Sequence, residues 1–290
     1  MRMFDHAEKS RDDALLAHIE EELRRTIRSA DDDLQSVTAQ LIRRAIDEVI
    51  DAPRTGRLTL DECEKTEKTY LGTKIEILFR QSIGQPKGQA LDLSIAGIDV
   101  DIKHSIARSW MIPGEALGKV CLLINENERT ARFNMGLIVC RAGNLTAGGN
   151  RDKKLQVSAV GMGNVRWLVA DQPYPRNIWQ EFDKALLQRI IAHRGGAARL
   201  AELFRNMLFR PIPRSAIPAV APQLDPLKRV RANGGARDIL KPEGIAVLWG
   251  SYDRHLIARL NLPPIFGDEF LSVRPRSDDE LQLLRQAGHL

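Results

Sequence analysis

The sequence has few cysteines, few aromatic residues and no long apolar run. Cys63, Cys121 and Cys140 are widely spaced and odd in number, which excludes a disulfide framework and a zinc site of the usual spacing and favours plain packing in the core. Aromatic residues make up 5% of the chain, and the four tryptophans are scattered, so no stacking platform for single-stranded nucleic acid is expected. The longest apolar runs, 120–124 and 136–140, are too short to cross a bilayer, and the N-terminus is acidic rather than apolar. These features predict a cytoplasmic protein with no membrane partner.

Positive charge is concentrated in the C-terminal part of the chain. The whole chain has 290 residues and a net charge of +5. Residues 1–170 contain 25 basic and 25 acidic side chains, whereas residues 171–290 contain 18 basic and 13 acidic ones. Such an excess is compatible with a polyanionic partner, although a charge of this size does not identify one.

Hydrophobic periodicity divides the chain into two domains of different character. Helical spacing over 12–29, 34–50 and 60–83 is followed by period-two alternation and by apolar strands near 118–125, 133–141 and 164–170. Prolines then mark a linker, after which helical patterns over 177–193, 197–208, 214–221 and 224–233 precede a strand at 245–249. The sequence therefore predicts an N-terminal helical extension (1–30), an α/β domain with a mixed sheet (31–170), a linker (171–176) and a mostly helical winged helix-turn-helix domain (177–290).

The segment 88–104 contains a predicted hairpin that brings charged residues together. If Ala96 and Gly97 form a two-residue turn, Leu91, Leu93 and Ile95 pair with Ile102, Val100 and Ile98 on one apolar face. On the other face Asp92 opposes Asp101, and Lys103 lies two residues beyond Asp101. Like charges directly opposite each other destabilise a hairpin, so a compensating partner is expected.

A hard divalent cation is an economical partner for such a pair of aspartates. Mg²⁺ binds a few carboxylates together with water and phosphate oxygens, and it can polarise a phosphate and acidify a bound water. Lys103 can then position the nucleophile or stabilise charge in the transition state. Helical Glu76 can add a third carboxylate. The alternative is that these residues form the solvated face of an ordinary hairpin, and the physics alone leaves the two readings about equal.

The sequence also resembles a known enzyme family. Asp92 followed by Asp101, Ile102 and Lys103 resembles the signature of PD-(D/E)XK nucleases, although Leu91 replaces the usual proline. The resemblance to NaeI-type restriction endonucleases is more specific and covers about residues 31–250 in matching order. The matching stretches are Arg54–Arg57, Lys65–Thr69, Trp110–Pro113, Asn150–Asp152 and Gly234–Gly244.

This resemblance implies a type IIE restriction endonuclease with a restriction-endonuclease-like core. It implies Glu76, Asp92, Asp101 and Lys103 as catalytic residues, the three carboxylates as Mg²⁺ ligands, and a homodimer that cuts both strands of one DNA while its C-terminal domain binds a second copy as effector. A GC-rich palindrome, GCCGGC, and a cognate DNA methyltransferase as genetic partner are implied in the same way. Residues 1–30 and the segment after Tyr252 match poorly.

Basic side chains in three places are candidates for contacts with DNA. Each group can also be an ordinary solvated face, which is the more favoured alternative for the first two groups and the less favoured one for the last. His104, which follows Lys103, is consistent with either a DNA contact or the end of a strand. The last group lies on the predicted helix 224–233, which would enter the major groove as a recognition helix. The candidates are Lys65, Lys68, His104, Arg151, Lys153, Lys154, Lys228, Arg229 and Arg231.

Two other functions stay open at this level. A strand-nicking repair endonuclease of the same superfamily would share the candidate site. A non-catalytic winged-helix regulator would keep only the DNA-binding domain, and the presence of all four candidate catalytic residues opposes that reading.

Overall fold

The computed structural model describes residues 2–27, 33–148 and 154–290. The chain forms two compact units, the first from Met1–Ala45 and Thr66–Tyr174 and the second from Ile46–Lys65 and Pro175–Leu290. The division after Tyr174 falls within the expected linker. Residues 46–65 differ from the expectation, because they belong to the second unit although they precede most of the first.

The helices of the first unit follow the apolar periodicity. Helix α2 has the predicted bounds and begins where the Asp33 carboxylate accepts a hydrogen bond from the Ser36 N–H at 2.7 Å. Among the described residues, no helix has both the length and the apolar character needed to cross a membrane. The helices are α1 (Arg2–Ile27), α2 (Leu34–Ile50, which continues into the second unit), α3 (Ala52–Thr55, in the second unit), α4 (Lys65–Ile83) and α5 (Ala159–Gly163).

A mixed sheet forms the centre of the first unit, as predicted. In its described part the strand order is β1-β2-β4-β5-β7, with β2 and β4 parallel and the other neighbours antiparallel. A separate pair, β3 with β6, was not predicted. The strands are β1 (Leu93–Ile95), β2 (Ile98–Ser105), β3 (Met111–Ile112), β4 (Val120–Asn127), β5 (Arg132–Val139), β6 (Leu155–Gln156) and β7 (Arg166–Pro173).

Different layers cover the two faces of this sheet. Helix α2 packs on one face, where Thr38 lies 3.8 Å from the Met135 sulfur, and α4 approaches the same face, where a Cβ at Gly72 would lie 3.7 Å from that of His104. A buried cluster that includes Trp110, Cys121 and Leu123 covers the other face. Asp101 and Lys103 are paired in register with Cys121 and Leu123, so the candidate catalytic side chains of β2 point toward this second layer.

The second unit combines short helices with a small antiparallel sheet. Its described strands run in the order β8-β10-β9, and the predicted strand at 245–249 is confirmed as β9. The elements are α6 (Lys184–Ala192), α7 (Gly196–Asn206), β8 (Pro211–Ile212), α8 (Ala216–Val220), α9 (Ala236–Leu240), β9 (Ala246–Trp249), α10 (Gly250–Arg259), β10 (Phe270–Val273) and α11 (Asp278–Gln286).

Two predicted helices of the second unit are wrong as continuous helices. The segment 177–193 is a 3-10 helix, Ile178–Glu181, followed by α6, because Asp183 accepts a hydrogen bond from the Leu186 N–H and caps a new helix. The segment 224–233 contains only the 3-10 helix Pro226–Arg229. Asn233 and Gly234 both have positive φ, which ends any helical continuation there.

Candidate active site

The hairpin has the predicted register. Leu93 pairs with Val100, Ser94 with Asp99 and Ile95 with Ile98. The turn residues Ala96 and Gly97 have φ of 51° and 79°, the left-handed conformations that a two-residue hairpin turn of this type requires. Because register sets the face of every side chain, this turn places Asp101 and Lys103 on one side of β2.

Asp92 lies just before β1 and is held by side-chain and loop contacts rather than by the strand ladder. Its Oδ2 accepts a hydrogen bond from the Ile102 N–H at 2.7 Å. The loop that leads to it is fixed by Asp99, whose carboxylate accepts hydrogen bonds from the N–H groups of Gln89 at 3.0 Å and Ala90 at 2.9 Å. A Cβ at Gly88 would lie 2.8 Å from Asp99 Oδ1, so this position needs glycine for the close approach.

Helix α4 supplies the third carboxylate. Glu76 lies close enough to Asp92 for the charge of one to act on the other. Arg80, one turn later, lies 3.8 Å from Glu76 Oε1 and donates to the Asp92 carbonyl at 3.3 Å. Burial, reinforced by the negative charge of Asp92, raises the pKa of Glu76 to about 7.

Asp101 is the most enclosed member of the cluster. Its side chain is 5% exposed, and its Oδ2 lies 2.8 Å from Lys103 Nζ. Burial and the contact with Asp92 raise the pKa of Asp101 to about 6. Burial alone would lower the pKa of Lys103, but Asp101 and Asp92 outweigh it, so the pKa rises and the ammonium stays charged. A solvated hairpin face would not have these properties.

The donor set fits a hard divalent cation. Asp92 acts electrostatically on both Glu76 and Asp101, and a cation between such carboxylates would relieve their repulsion. Mg²⁺ typically takes one or two carboxylates together with water. Within the described part of the chain, no three His, Cys, Asp or Glu side chains converge as a ready-made cage. Glu76, Asp92 and Asp101 are the residues that would hold such an ion.

His104 lies away from this cluster, on the opposite face of β2. Its ring is 5% exposed and its Nε2 lies 3.7 Å from Oε1 of Glu126, which is fully buried. The Tyr174 hydroxyl donates to Glu126 Oε2 at 2.9 Å. A contact between His104 and DNA does not fit this position, because the ring is enclosed between the sheet and α4.

The other predicted DNA-binding residues are distributed over several elements. Lys65 and Lys68 lie in the first turns of α4, and Lys154 is exposed just before β6, whereas Arg151 and Lys153 lie outside the described residues.

The basic group of the second unit is exposed but does not lie on a recognition helix. Lys228 and Arg229 belong to the 3-10 helix and Arg231 follows it. Lys228 Nζ lies 3.4 Å from Asp225 Oδ2. The prediction that these three residues share an α-helix is wrong, because Pro226 begins a four-residue 3-10 helix that stops at Arg229.

Two neighbours of the cluster were missed at the level of sequence. Arg80 stands four residues after Glu76, a spacing that puts both side chains on one face of a helix and was a usable signal. Cys121 Sγ lies 3.9 Å from Asp101 Oδ2. Nothing local in the sequence indicates that contact, since it depends on the parallel pairing of β2 with β4.

Comparison with known proteins assigns the family. The model of the restriction endonuclease NaeI family matches residues 21–280. The type II restriction enzyme NaeI of Lentzea aerocolonigenes is 37% identical over 238 residues, which cover 79% of this chain and 74% of that enzyme. The match extends over residues of both compact units and includes the whole carboxylate–lysine cluster, and on this basis the chain belongs to the NaeI restriction endonuclease family.

Proposed function

We propose that this protein is a type II restriction endonuclease that makes Mg²⁺-dependent, site-specific double-strand cuts in DNA. Family membership supports site-specific DNA cleavage. The observation that carries the proposal is the buried Asp101, whose Oδ2 lies 2.8 Å from Lys103 Nζ, while Asp92 accepts a hydrogen bond from the adjacent Ile102 N–H. Glu76 lies close enough to Asp92 to feel its charge. A cluster of carboxylates with raised pKa values and one lysine costs stability, and such a cost is typical of a functional site.

The residues of the cluster have distinct roles in this proposal. Glu76, Asp92 and Asp101 hold the cation, which when bound would polarise the scissile phosphate and acidify a bound water. Lys103 remains protonated because Asp101 and Asp92 stabilise its charge. Its ammonium therefore stabilises negative charge that develops on the phosphate during hydrolysis. Arg80 and the Asp99-supported loop keep Glu76 and Asp92 in place.

Digestion of a mixed-sequence plasmid tests the activity. Mg²⁺ should give discrete linear products whose sequenced ends share one recognition site, and GCCGGC is the sequence to examine first. Asp101→Ala should abolish cleavage, whereas Asp13→Ala, which removes an exposed carboxylate of α1, should cleave normally. Persistent nicked circles would favour a strand-nicking enzyme instead, and binding without any cleavage would favour a regulator.

We further propose that the enzyme acts as a homodimer and that its second unit binds a second DNA copy as effector. Support comes from the excess of basic residues after residue 170 and from the exposure of Lys228, Arg229 and Arg231. Short helices that precede a three-stranded antiparallel sheet are compatible with a winged-helix domain, although α10 replaces a simple loop between β9 and β10.

The effector role can be tested in the full-length chain. Neutralising Lys228, Arg229 and Arg231 together should reduce the log–log salt slope of DNA binding by about 2–3 units, since each phosphate contact contributes about 0.9. A short duplex with the recognition sequence should accelerate cleavage of a single-site plasmid by the wild type but not by the triple variant. If added duplex only competes, and more substrate fully restores the variant, the effector proposal fails while the nuclease proposal stands. Sedimentation equilibrium measures the dimer directly.

A further inference from the structure

A thiol lies directly behind the most buried carboxylate of the candidate site. The parallel pairing of β2 and β4 sets Cys121 opposite Asp101, and the Cys121 sulfur lies 3.9 Å from Asp101 Oδ2, within the longer hydrogen-bonding range of sulfur. The same oxygen lies 2.8 Å from Lys103 Nζ. Oδ2 therefore has two protein donors, one on the solvent side and one on the core side.

A second thiol lies beside Cys121 and does not compete for its hydrogen when it acts as a donor. Cys140 Sγ lies 3.1 Å from Cys121 Sγ, and both cysteines are fully buried in the cluster that contains Trp110 and Leu123. A thiol has a single hydrogen to donate. When Cys140 donates to the Cys121 sulfur, the hydrogen of Cys121 is left for Asp101. The donation to Asp101 is made by Cys121 itself and does not require Cys140.

We propose that Cys121 is a positioning residue for catalysis, whose S–H and the Lys103 ammonium together hold Oδ2 of Asp101 and leave its other oxygen for the metal. This inference rests on the proposed role of Asp101 as a metal ligand. A carboxylate oxygen that faces an apolar core without a donor would be costly. Loss of that donor would let the carboxylate rotate, and outer contacts of this kind typically change metal affinity or activity by about 10–100-fold.

Three substitutions separate positioning from simple packing. Cys121→Ala removes both volume and donor, Cys121→Ser keeps a donor, and Cys140→Ala removes a thiol of the same size from the same cluster but leaves the hydrogen of Cys121 to Asp101. All three should lower thermal stability. Only Cys121→Ala should raise the Mg²⁺ concentration for half-maximal single-turnover cleavage, by about tenfold. Cys121→Ser and Cys140→Ala should stay within about threefold and twofold of the wild type.

Direct metal binding gives a readout that does not depend on cleavage. Titration of the DNA-free protein with Mn²⁺, followed by the electron paramagnetic resonance signal of the free ion, should show the same order of affinities as the Mg²⁺ requirement. Equal metal affinities for Cys121→Ala and Cys140→Ala would overturn the inference, because packing loss alone would then explain every effect. Failure of Cys121→Ser to restore affinity would overturn it as well.

The same experiment distinguishes failure of this inference from failure of the proposed function. Asp101→Asn is measured beside the cysteine variants. If Asp101→Asn cleaves DNA and binds Mn²⁺ like the wild type, the proposed active site is wrong and the role of Cys121 falls with it. If Asp101→Asn is inactive and binds Mn²⁺ poorly while Cys121→Ala is unaffected, the active site stands and Cys121 is only a core residue.

Discussion

Replacing Asp101 with asparagine should abolish cleavage and at the same time stabilise the metal-free protein. The side chain is 5% exposed, and its pKa is raised from 3.8 to about 6 by burial and by the contact with Asp92. In the unfolded chain the same group ionises near 3.8. Asp101 therefore destabilises the folded state progressively as the pH rises above 3.8, and in full above about 6.

The magnitude follows from the difference between the two pKa values. One pKa unit corresponds to about 1.4 kcal/mol, so the ionised carboxylate destabilises the folded state by about 3 kcal/mol at pH 8. This cost grows as the pH rises from 3.8 to 6 and is absent below 3.8. Asparagine has no such charge. For a domain of this size, about 3 kcal/mol corresponds to a rise in melting temperature of roughly 5–10 °C. Asparagine also loses the ion pair with Lys103, and that loss reduces the gain in stability.

Thermal unfolding followed by circular dichroism measures the effect. In chelator at pH 8, Asp101→Asn should melt above the wild type, and the difference should nearly vanish at pH 4. Saturating Mg²⁺ should raise the melting temperature of the wild type but not of the variant, since only the wild type retains the full ligand set. Asp13→Asn, on the exposed face of α1, should change neither value. A variant that is less stable than the wild type at pH 8 in chelator, or a gain that is independent of pH, would refute the reasoning.

Three other outcomes test different parts of the molecule. Lys103→Ala should slow single-turnover cleavage by at least about 100-fold, which is the typical effect of losing one transition-state donor. The affinity for DNA, measured by fluorescence anisotropy, should change little. Normal cleavage with weakened binding would contradict the assigned role. Burial raises the pKa of Glu269 to about 8, so the second unit loses stability as the pH rises from about 4.5 to 8, and Glu269→Gln should recover up to about 4 kcal/mol at pH 8 and nothing near pH 4 in urea unfolding. Tyr174→Phe removes the hydroxyl that donates to buried Glu126 and should cost about 1–3 kcal/mol in the same assay, with no change in Mg²⁺ requirement.

The part of the site that could be predicted is the part that local rules determine. A two-residue turn at Ala96 and Gly97 fixes the register of the hairpin, and register fixes which side chains share a face. Because adjacent residues of a strand point to opposite faces, the register also indicates that His104 points away from Lys103. The sequence analysis nevertheless left open whether His104 contacts DNA. To predict that Glu76 lies near the hairpin, the sequence only had to indicate a helix that ends near Ile83 and a chain that then leads directly into the hairpin.

The contacts that escaped prediction depend on distant pairing. Cys121 reaches Asp101 only because β4 pairs in parallel with β2, and the connection between these strands passes through β3 and a 3-10 helix. Apolar alternation identifies both strands but does not set their relative register. The burial of Asp101 has the same origin, since the layer on that face includes Cys121, Ile138 and Cys140, which lie 20 or more positions away along the chain.

The failures in the second unit have a different cause. The segments 177–193 and 224–233 both contain apolar residues at helical spacing, but short caps interrupt them. Asp183 starts a new helix by accepting the Leu186 N–H, and Asp225 accepts the Lys228 N–H at 3.3 Å to begin a 3-10 helix. In segments this short, one capping hydrogen bond competes on equal terms with the weak preference of periodic apolar residues for a continuous helix.

The discontinuity of the second unit limits how this protein can be taken apart or recombined. Residues 46–65 fold with residues 175–290 although more than a hundred residues separate them in the chain. Proteolysis at the linker near residue 174 would leave the C-terminal fragment without that segment, which contains α3 and the Asp47 partner of Ser215. A gene fusion or exchange that transferred the second unit whole would need three crossover points, after residues 45, 65 and 174, and the first of them lies inside helix α2. Relatives that acquired a different second unit should therefore also differ in the sequence between α2 and α4.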